Sequence, residues 1–481
     1  MASPRRRPDP DKRILFSLRP YLDNKRAKDV VAHESNHHNV SFSMSDRSRV
    51  IDVGFHLHGN SSTLATLGRG SDADIYIEGS EISRRQCSFE IDPDTHAVML
   101  YDRSTANSTQ VFGENSKPFE RERDLRKVLV QKGLNTIIGM GGVGCNLVQF
   151  SLEWHRDPTE TTKYIEGYEG QTRGRVENPR LARTEEEVQT EFPSPRETRI
   201  HTPEQRPLRM RYVVREKLGS GTFGTVFKAI NVDSGKFMAV KIIEPPKIES
   251  QQEGWRRALK REVETFSQIS HPHIVNYITA QGWNGRNVEI FMGLKEGTLE
   301  SLVDSGHSYM FRVNVAESVF PQMLRALDYI AWKDIIHRDV KPENILYVSL
   351  PAGAYQFQLA DFGLCNSTTN ARTCAGTVLY MAPEVFQGGI QTGKVDVWSL
   401  FVTMLWILDV QSFRQRSRAF GNNPAGVQQV VLSIAAGKVK PVPQIREMAI
   451  EDPAKRASAA QMLVKLYKGA LGIVSRNRPN S

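Results

Sequence analysis

Hydrophobic rhythm changes along this chain and divides it. From residue 41 to 153, apolar residues alternate in short bursts: Phe55 with Leu57, Ile75 with Ile77, Phe89 with Ile91, Val98 with Leu100, then Val148, Phe150 and Leu152. Gly, Ser, Asn and Asp turns separate the bursts. Alternation with a period of two buries one face of a strand, so this region predicts an all-β sandwich. From 210 to 470, strand-like and helix-like runs alternate, β-rich first and helix-rich later, which predicts a second, α+β domain. Residues 154–209 hold Glu, Arg, Thr and Pro with few large apolar residues, as in Thr184-Glu185-Glu186-Glu187 and Pro193-Ser194-Pro195, and predict a linker. Residues 1–40 show no sustained period and predict a mobile N-terminal tail, and 471–481 form a C-terminal tail.

The longest apolar run, Val397 to Leu408, is shorter than the ~20 residues that span a bilayer, so it predicts a buried helix and no membrane partner is expected. The 63 basic residues are set against 54 acidic ones, for a net charge of +9. No basic stripe with interleaved aromatics accompanies that bias, so direct nucleic-acid binding is not expected. Cys87, Cys145, Cys365 and Cys374 are too few and scattered for a disulfide framework or a zinc site, which points to a reducing interior. Arg5-Arg6-Arg7 is followed by no apolar stretch of signal-peptide length, so secretion is not expected.

Chemistry concentrates at His337-Arg338-Asp339-Val340-Lys341-Pro342-Glu343-Asn344, set between the apolar pairs Ile335-Ile336 and Ile345-Leu346. Phosphoryl transfer needs a carboxylate to orient the attacking hydroxyl, a cation against the moving phosphate and an amide oxygen on a metal. Asp339, Lys341 and Asn344 supply these at the spacing of a protein-kinase catalytic loop. Upstream, Gly219, Gly221 and Gly224 lie in Leu218-Gly219-Ser220-Gly221-Thr222-Phe223-Gly224-Thr225-Val226, and Lys241 follows on the next strand pattern. Glycines let a hairpin backbone lie close over nucleotide phosphates, and a lysine neutralises them. A second glycine run, Gly139-Met140-Gly141-Gly142-Val143-Gly144, satisfies GxGxxG but is followed by strand-like alternation, so it reads as a hairpin rather than a dinucleotide site.

With these motifs the region 210–470 resembles the bilobal protein-kinase fold. The resemblance implies that Glu262 holds Lys241, that Val226, Met292 and Leu294 line the adenine pocket, and that Asp361 of Asp361-Phe362-Gly363 and Asn344 hold Mg²⁺ on ATP. Glu384 of Ala382-Pro383-Glu384 and Arg456 are expected to form a buried ion pair, and Asp396 to brace the catalytic loop. The pattern Asp339-x-Lys341, with Thr377 ahead of Ala382, is similar to serine/threonine rather than tyrosine kinases. Arg338 beside the catalytic aspartate implies a phosphate on the activation segment, with Thr373 the expected acceptor.

The β-rich region 41–153 resembles a forkhead-associated (FHA) domain at Gly68-Arg69, Ile75-Tyr76-Ile77, Ser83-Arg84 and Asp102 through Asn107-Ser108-Thr109. In that family a guanidinium, a hydroxyl, a second cation and an amide grip a phosphothreonine, and Arg69, Ser83, Arg84 and Asn107 would fill those roles. Gln86 departs from the family, which usually has a histidine there to brace the loop. The two domains together resemble FHA-containing checkpoint effector kinases or their meiotic relatives. That resemblance implies serine/threonine protein substrates, phosphothreonine-bearing partners, transient self-association and a nuclear location. No Ser-Gln or Thr-Gln pair occurs in residues 1–60, so activation through a clustered N-terminal tail is not expected. The alternative, a catalytically silent phosphoprotein-binding scaffold, would show loss of Lys241, Asp339 or Asp361, and all three are present.

Overall fold

In a computed structural model of the chain, the described residues are 13–43, 45–58, 62–120, 125–142, 147–172, 209–221, 224–306, 308–362, 378–420, 423–437 and 442–467. The chain divides into two compact units, Met1–Glu216 with Lys228–Met238, and Lys217–Phe227 with Ala239–Ser481.

The first unit is a sandwich of two sheets. Its strands are β1 (Ile14–Pro20), β2 (Val40–Phe42), β3 (Arg49–Gly54), β4 (Thr63–Gly68), β5 (Ile75–Tyr76), β6 (Cys87–Ile91), β7 (Val98–Asp102), β8 (Gln110–Phe112), β9 (Lys127–Leu129), β10 (Ile137–Met140) and β11 (Val148–Trp154). One sheet has the order β2-β3-β1-β11-β10-β8 and the other β5-β4-β6-β7-β9. Phe16 of the first meets Phe89 of the second edge to face at 4.9 Å, and both are fully buried. The glycine run starts inside β10, and Gly141 and Gly142 follow that strand at φ of 62° and 74°, ahead of antiparallel β11.

Two boundary expectations are corrected. Residues 13–40, read as part of a mobile tail, supply β1, the helix α1 (Lys25–Ala32) and a 3₁₀ turn over Glu34–Asn39. β1 is a central strand, pairing Leu18 with Leu152 of β11 on one side and with Ile51 of β3 on the other. The short run Ile14-Leu15-Phe16 has no alternation because it is buried on both sides. α1 is capped by Asn24, whose side chain accepts from the Ala27 N–H, and the 3₁₀ turn is tied to β5 by Asn36, which both donates to and accepts from the Tyr76 backbone. The segment read as linker begins as a helix, α2 (Pro158–Thr172), that buries Ile165 and stacks Tyr168 on Phe55 at 4.0 Å. The remaining linker, 173–208, lies outside the described residues.

From 212 onward come β12 (Tyr212–Gly221), β13 (Gly224–Asn231), β14 (Phe237–Ile243), helix α3 (Glu249–Ser267), β15 (Tyr277–Gln281) and β16 (Val288–Met292). The sheet order is β12-β13-β14-β16-β15, and Lys241 on β14 faces Ile290 across the ladder. The helical part is built on α4 (Tyr309–Trp332) and α5 (Lys394–Leu408). The apolar run Val397–Leu408 lies in α5, as its sequence predicts, with Trp398 and Phe401 fully buried in the core. Among the described residues no helix is long and apolar enough to cross a membrane. The loop 333–344 runs from the end of α4 to β18 (Ile345–Ser349), which pairs with β19 (Tyr355–Leu359) and, on its other side, with the short β17 (Gly297–Thr298). Ile345 and Leu359 are direct partners. The polar residues that precede β18 and follow β19 therefore emerge side by side.

Candidate active site and phosphate-binding loops

The catalytic loop is fixed from beneath by a buried carboxylate. Asp396 Oδ2 accepts the His337 N–H at 2.8 Å and Oδ1 accepts the Arg338 N–H at 2.7 Å. Burial pushes the Asp396 pKa up, opposed by His337, Arg338 and the two backbone bonds. The grip holds Arg338 at φ 67°, a left-handed conformation that costs a side-chain-bearing residue about 1–2 kcal/mol. His337 Nε2 lies 2.8 Å from the Ala360 carbonyl, which ties the loop to the end of β19.

Above this grip Asp339 is used asymmetrically. Its Oδ2 accepts from Asn344 Nδ2 at 2.8 Å and from Lys341 Nζ at 2.8 Å, and Asn344 Nδ2 also donates to the Asp339 carbonyl at 2.8 Å. Oδ1 is buried with no hydrogen-bond partner among the described residues. Leaving a buried acceptor unpaired costs about 1–3 kcal/mol, so an incoming donor is what this oxygen fits. Burial lowers the Lys341 pKa, but Asp339, with Glu343 and Asp361, outweighs it and holds the ammonium charged.

Gly224 of the glycine loop sits at φ 125°, and a Cβ there would lie 2.3 Å from the Ile242 carbonyl. Only glycine fits that backbone approach. A Cβ on Gly219 would meet nothing within 4 Å, and Gly221 ends β12. Val226 on β13 is half-buried, and Met292, at the end of β16, pairs with Ala239, two residues before Lys241, with half-buried Leu294 following.

The pairing of Lys241 departs from expectation. Its ammonium is hydrogen-bonded to Asp361, not to Glu262. Crowding around Asp361 pushes its pKa up, yet the Lys241 charge and hydrogen bond, with His337 and Lys341, win and hold it below the ordinary value. Glu262 on α3 has no ion-pair partner among the described residues, and burial alone pushes its pKa up to about 7. With no cation among the described residues to offset that desolvation, the charged form of Glu262 is disfavoured where it lies. Asp361 takes a φ of 62°, and Phe362 behind it stacks on Phe266 of α3 at 5.1 Å. Asp361 and the Asn344 amide are hard oxygen donors, a set that fits a hard divalent cation. Glu384 and Arg456 form a bidentate buried pair at 2.6 and 2.9 Å. Thr373 and Thr377 lie outside the described residues.

The loops of the first unit are built on backbone contact. A Cβ on Gly68 would lie 2.1 Å from the Arg84 carbonyl. That closeness lets the Arg69 N–H reach Ser83 O at 3.1 Å and the Gly70 N–H reach Arg84 O at 2.9 Å. Arg69 Nε donates to Ile82 O at 2.7 Å. Arg69, Arg84 and Asn107 are exposed, Ser83 is half-buried, and Asn107 adopts φ 51°. Gln86 was missed by sequence reading as a support. Fully buried, it accepts the Ser83 N–H at 2.9 Å and donates to Ser108 Oγ and Thr109 Oγ1 at 2.9 and 3.1 Å. It thus braces one loop against the other, the task expected of a histidine.

A family profile described as the protein kinase domain matches residues 212–468, more than half of the chain. The chain belongs to the protein kinase family. An FHA domain profile matches residues 65–129, so this kinase carries an FHA domain ahead of its catalytic region. Similar proteins include the serine/threonine-protein kinase SSK22 of Saccharomyces cerevisiae, 29% identical over 53% of this chain and 21% of its own length. The CBL-interacting serine/threonine-protein kinase 15 of Arabidopsis thaliana is 32% identical over 42% of this chain and 47% of its own. The probable serine/threonine-protein kinase fhkD of Dictyostelium discoideum is 35% identical over 42% of this chain and 28% of its own. The kinase therefore spans less than half the length of each of these relatives.

Two outcomes are expected. Because the folded Glu262 pKa, about 7, lies above the ordinary 4.5, the folded state holds this proton more tightly, and stability from this group falls as pH rises between those values. Thermal melts should show Glu262→Gln gaining on wild type between pH 5 and pH 7.5; an equal offset at both would contradict the burial of an unpaired carboxyl. Separately, Gln86→Ala should weaken phosphothreonine-peptide binding roughly tenfold by loosening both loops, since it removes two or three hydrogen bonds worth about 1 kcal/mol each, while Gln86→His retains binding. Calorimetric titration reads this, and unchanged affinity in the alanine variant would remove Gln86 from the pocket's support.

Proposed function

We propose that this kinase transfers the γ-phosphoryl group of ATP, with Mg²⁺, to serine or threonine in protein substrates. The observation that carries the reading is the split role of Asp339: one oxygen is pinned by Lys341 and Asn344, and the other is buried with no partner among the described residues. A substrate hydroxyl donating to Oδ1 would be aimed for in-line attack. As the hydroxyl oxygen bonds to the γ-phosphorus, the bond to the bridging oxygen breaks, ADP leaves, and the hydroxyl proton passes to Asp339. Lys341, charged beside Asp339, would meet the charge on the moving phosphoryl group. Gly224 and its loop would admit the phosphates to the backbone, with Lys241 against them and Met292 and Leu294 beside the base. Asp361 and Asn344 would hold Mg²⁺, which when bound screens the phosphate oxygens.

The FHA domain supports recruitment by phosphothreonine through Arg69, Ser83, Arg84 and Asn107. The order of FHA domain then kinase supports a role in DNA-damage checkpoint or meiotic recombination signalling, in the nucleus. Phosphothreonine held by Arg69 and its neighbours would bring two kinase domains to high effective concentration. Each could then phosphorylate Thr373 of the other, and a phosphate there would pair with Arg338.

One reaction tests this. Wild type and Asp339→Ala are incubated with ATP, Mg²⁺ and a mixed serine/threonine peptide pool, and mass spectrometry reads both the peptides and Thr373. Wild type should phosphorylate both and the variant neither. Equal peptide labelling in the two samples would overturn the enzyme reading. An active wild type with Thr373 unmodified would overturn the activation route alone.

A further inference from the structure

The turn between β13 and β14 belongs to the first unit, with the FHA sandwich. Its tip is a tight, self-bonded turn. Asn231 Oδ1 accepts the N–H groups of Asp233 and Ser234 at 2.7 and 2.9 Å, and Gly235 takes φ 78°. Ile230 and Val232 are almost fully buried and form part of the sandwich core. This is a docked element, packed as a domain interior is.

Polar contacts fix its register. Lys236 Nζ lies between two carboxylates of the β6–β7 turn, 3.0 Å from Asp92 and 2.7 Å from Asp94. Thr95 Oγ1 donates to the Gly235 carbonyl at 2.7 Å. The Leu129 N–H of β9 donates to Val232 O, also at 2.7 Å, and Lys127 Nζ donates to Ser234 O at 2.8 Å. Met99 packs against Gly235, where a Cβ would lie 2.9 Å from Sδ. Burial lowers the Lys236 pKa, but the two aspartates outweigh it and raise it. Nearly every group at this contact is satisfied and excluded from water, unlike a casual surface touch.

The place of the contact matters as much as its quality. β6 starts at Cys87, next to Gln86 and the phosphate-binding loops, and ends at Ile91, just before Asp92. β7 runs back from Val98 to Asp102, on which the Ser104–Thr109 loop is built. The docked turn and the phosphothreonine loops therefore occupy opposite ends of the same two strands, about 17 Å apart at the rise of an extended chain. In sequence, β13 begins at Gly224 of the glycine loop, and β14 carries Lys241 only five residues after Lys236.

We propose that the FHA sandwich is a built-in brace for the nucleotide-binding hairpin: it grips the β13–β14 turn through Asp92, Asp94 and Thr95, and so strengthens ATP binding without using its phosphopeptide end. A phosphothreonine partner can then be bound while the grip is kept. The proposal goes beyond recruitment, and it rests on the reading that the glycine loop and Lys241 bind ATP.

The full-length protein tests it with Lys236→Glu, Lys236→Arg and the milder Thr95→Val. Hydrogen exchange reads the amides of 230–236, direct titration reads ATP affinity without turnover, and phosphothreonine-peptide titration reports that the sandwich is folded. Lys236→Glu should speed exchange roughly tenfold or more, as expected when a buried pair loses one partner, and weaken ATP binding several-fold. Peptide affinity should hold, and Lys236→Arg should stay near wild type. If Lys236→Glu loses peptide binding, it has unfolded the sandwich, and Thr95→Val then decides the matter on the same readouts. Unchanged exchange, or faster exchange with unchanged ATP affinity, overturns the brace. Wild type that binds no ATP would instead overturn the nucleotide-site reading, with exchange still reporting on the grip.

Discussion

Two hydrogen bonds to one buried carboxylate set the geometry on which the catalytic region depends. Asp396 accepts the backbone N–H groups of His337 and Arg338 and thereby holds Arg338 in a left-handed conformation that it would not adopt unaided. The residue after that strained position is Asp339. Because the backbone direction is fixed there, one oxygen of Asp339 meets Lys341 and Asn344 and the other is buried with no partner among the described residues. The strain and the unpaired acceptor each cost on the order of 1–3 kcal/mol, which the packed core around α5 must offset. Trp398, Phe401 and the Glu384–Arg456 pair anchor that core.

The state of the nucleotide site follows from a competition for one ammonium. Lys241 has two candidate anions, and in this conformation Asp361 takes it while Glu262 stays partly desolvated with no ion-pair partner among the described residues. A cation brought beside Glu262 would offset that desolvation and lower its pKa. The same economy of support appears in the loops that carry Ser83 and Ser108, which a single buried amide, Gln86, braces against each other. An amide has both a donor and an acceptor with no tautomer to choose, so it bridges Ser83 and Ser108 at any pH.

The catalytic loop was legible because its residues are contiguous and their chemistries are forced by the reaction. The Glu384–Arg456 pair and the burial of Val397–Leu408 could be read for a similar reason: a bidentate pair and an uncharged apolar run have few other places to go. β1 was hidden, because a short apolar run in a charged, proline-rich lead-in lacks the alternation that marks a half-exposed strand. The partner of Lys241 was not legible either, since Glu262 and Asp361 are both acceptable anions and tertiary geometry chooses between them. Least visible was the seat of Lys236. Asp92, Asp94 and Lys236 each look like ordinary turn residues, and only the fold brings them together from more than 140 positions apart.

The grip of Asp396 is the point at which the account can be tested most directly. Asp396→Asn keeps the shape but leaves one amide N–H facing a backbone donor. The measurement is steady-state phosphorylation of a serine/threonine peptide, with kcat and KM for ATP determined beside a thermal melt. The account predicts a fall in kcat of roughly a hundredfold or more, as for a displaced catalytic group, with KM for ATP little changed and the protein still folded. A folded variant with wild-type kcat would show that Asp339 holds its position without this carboxylate, and would contradict the account.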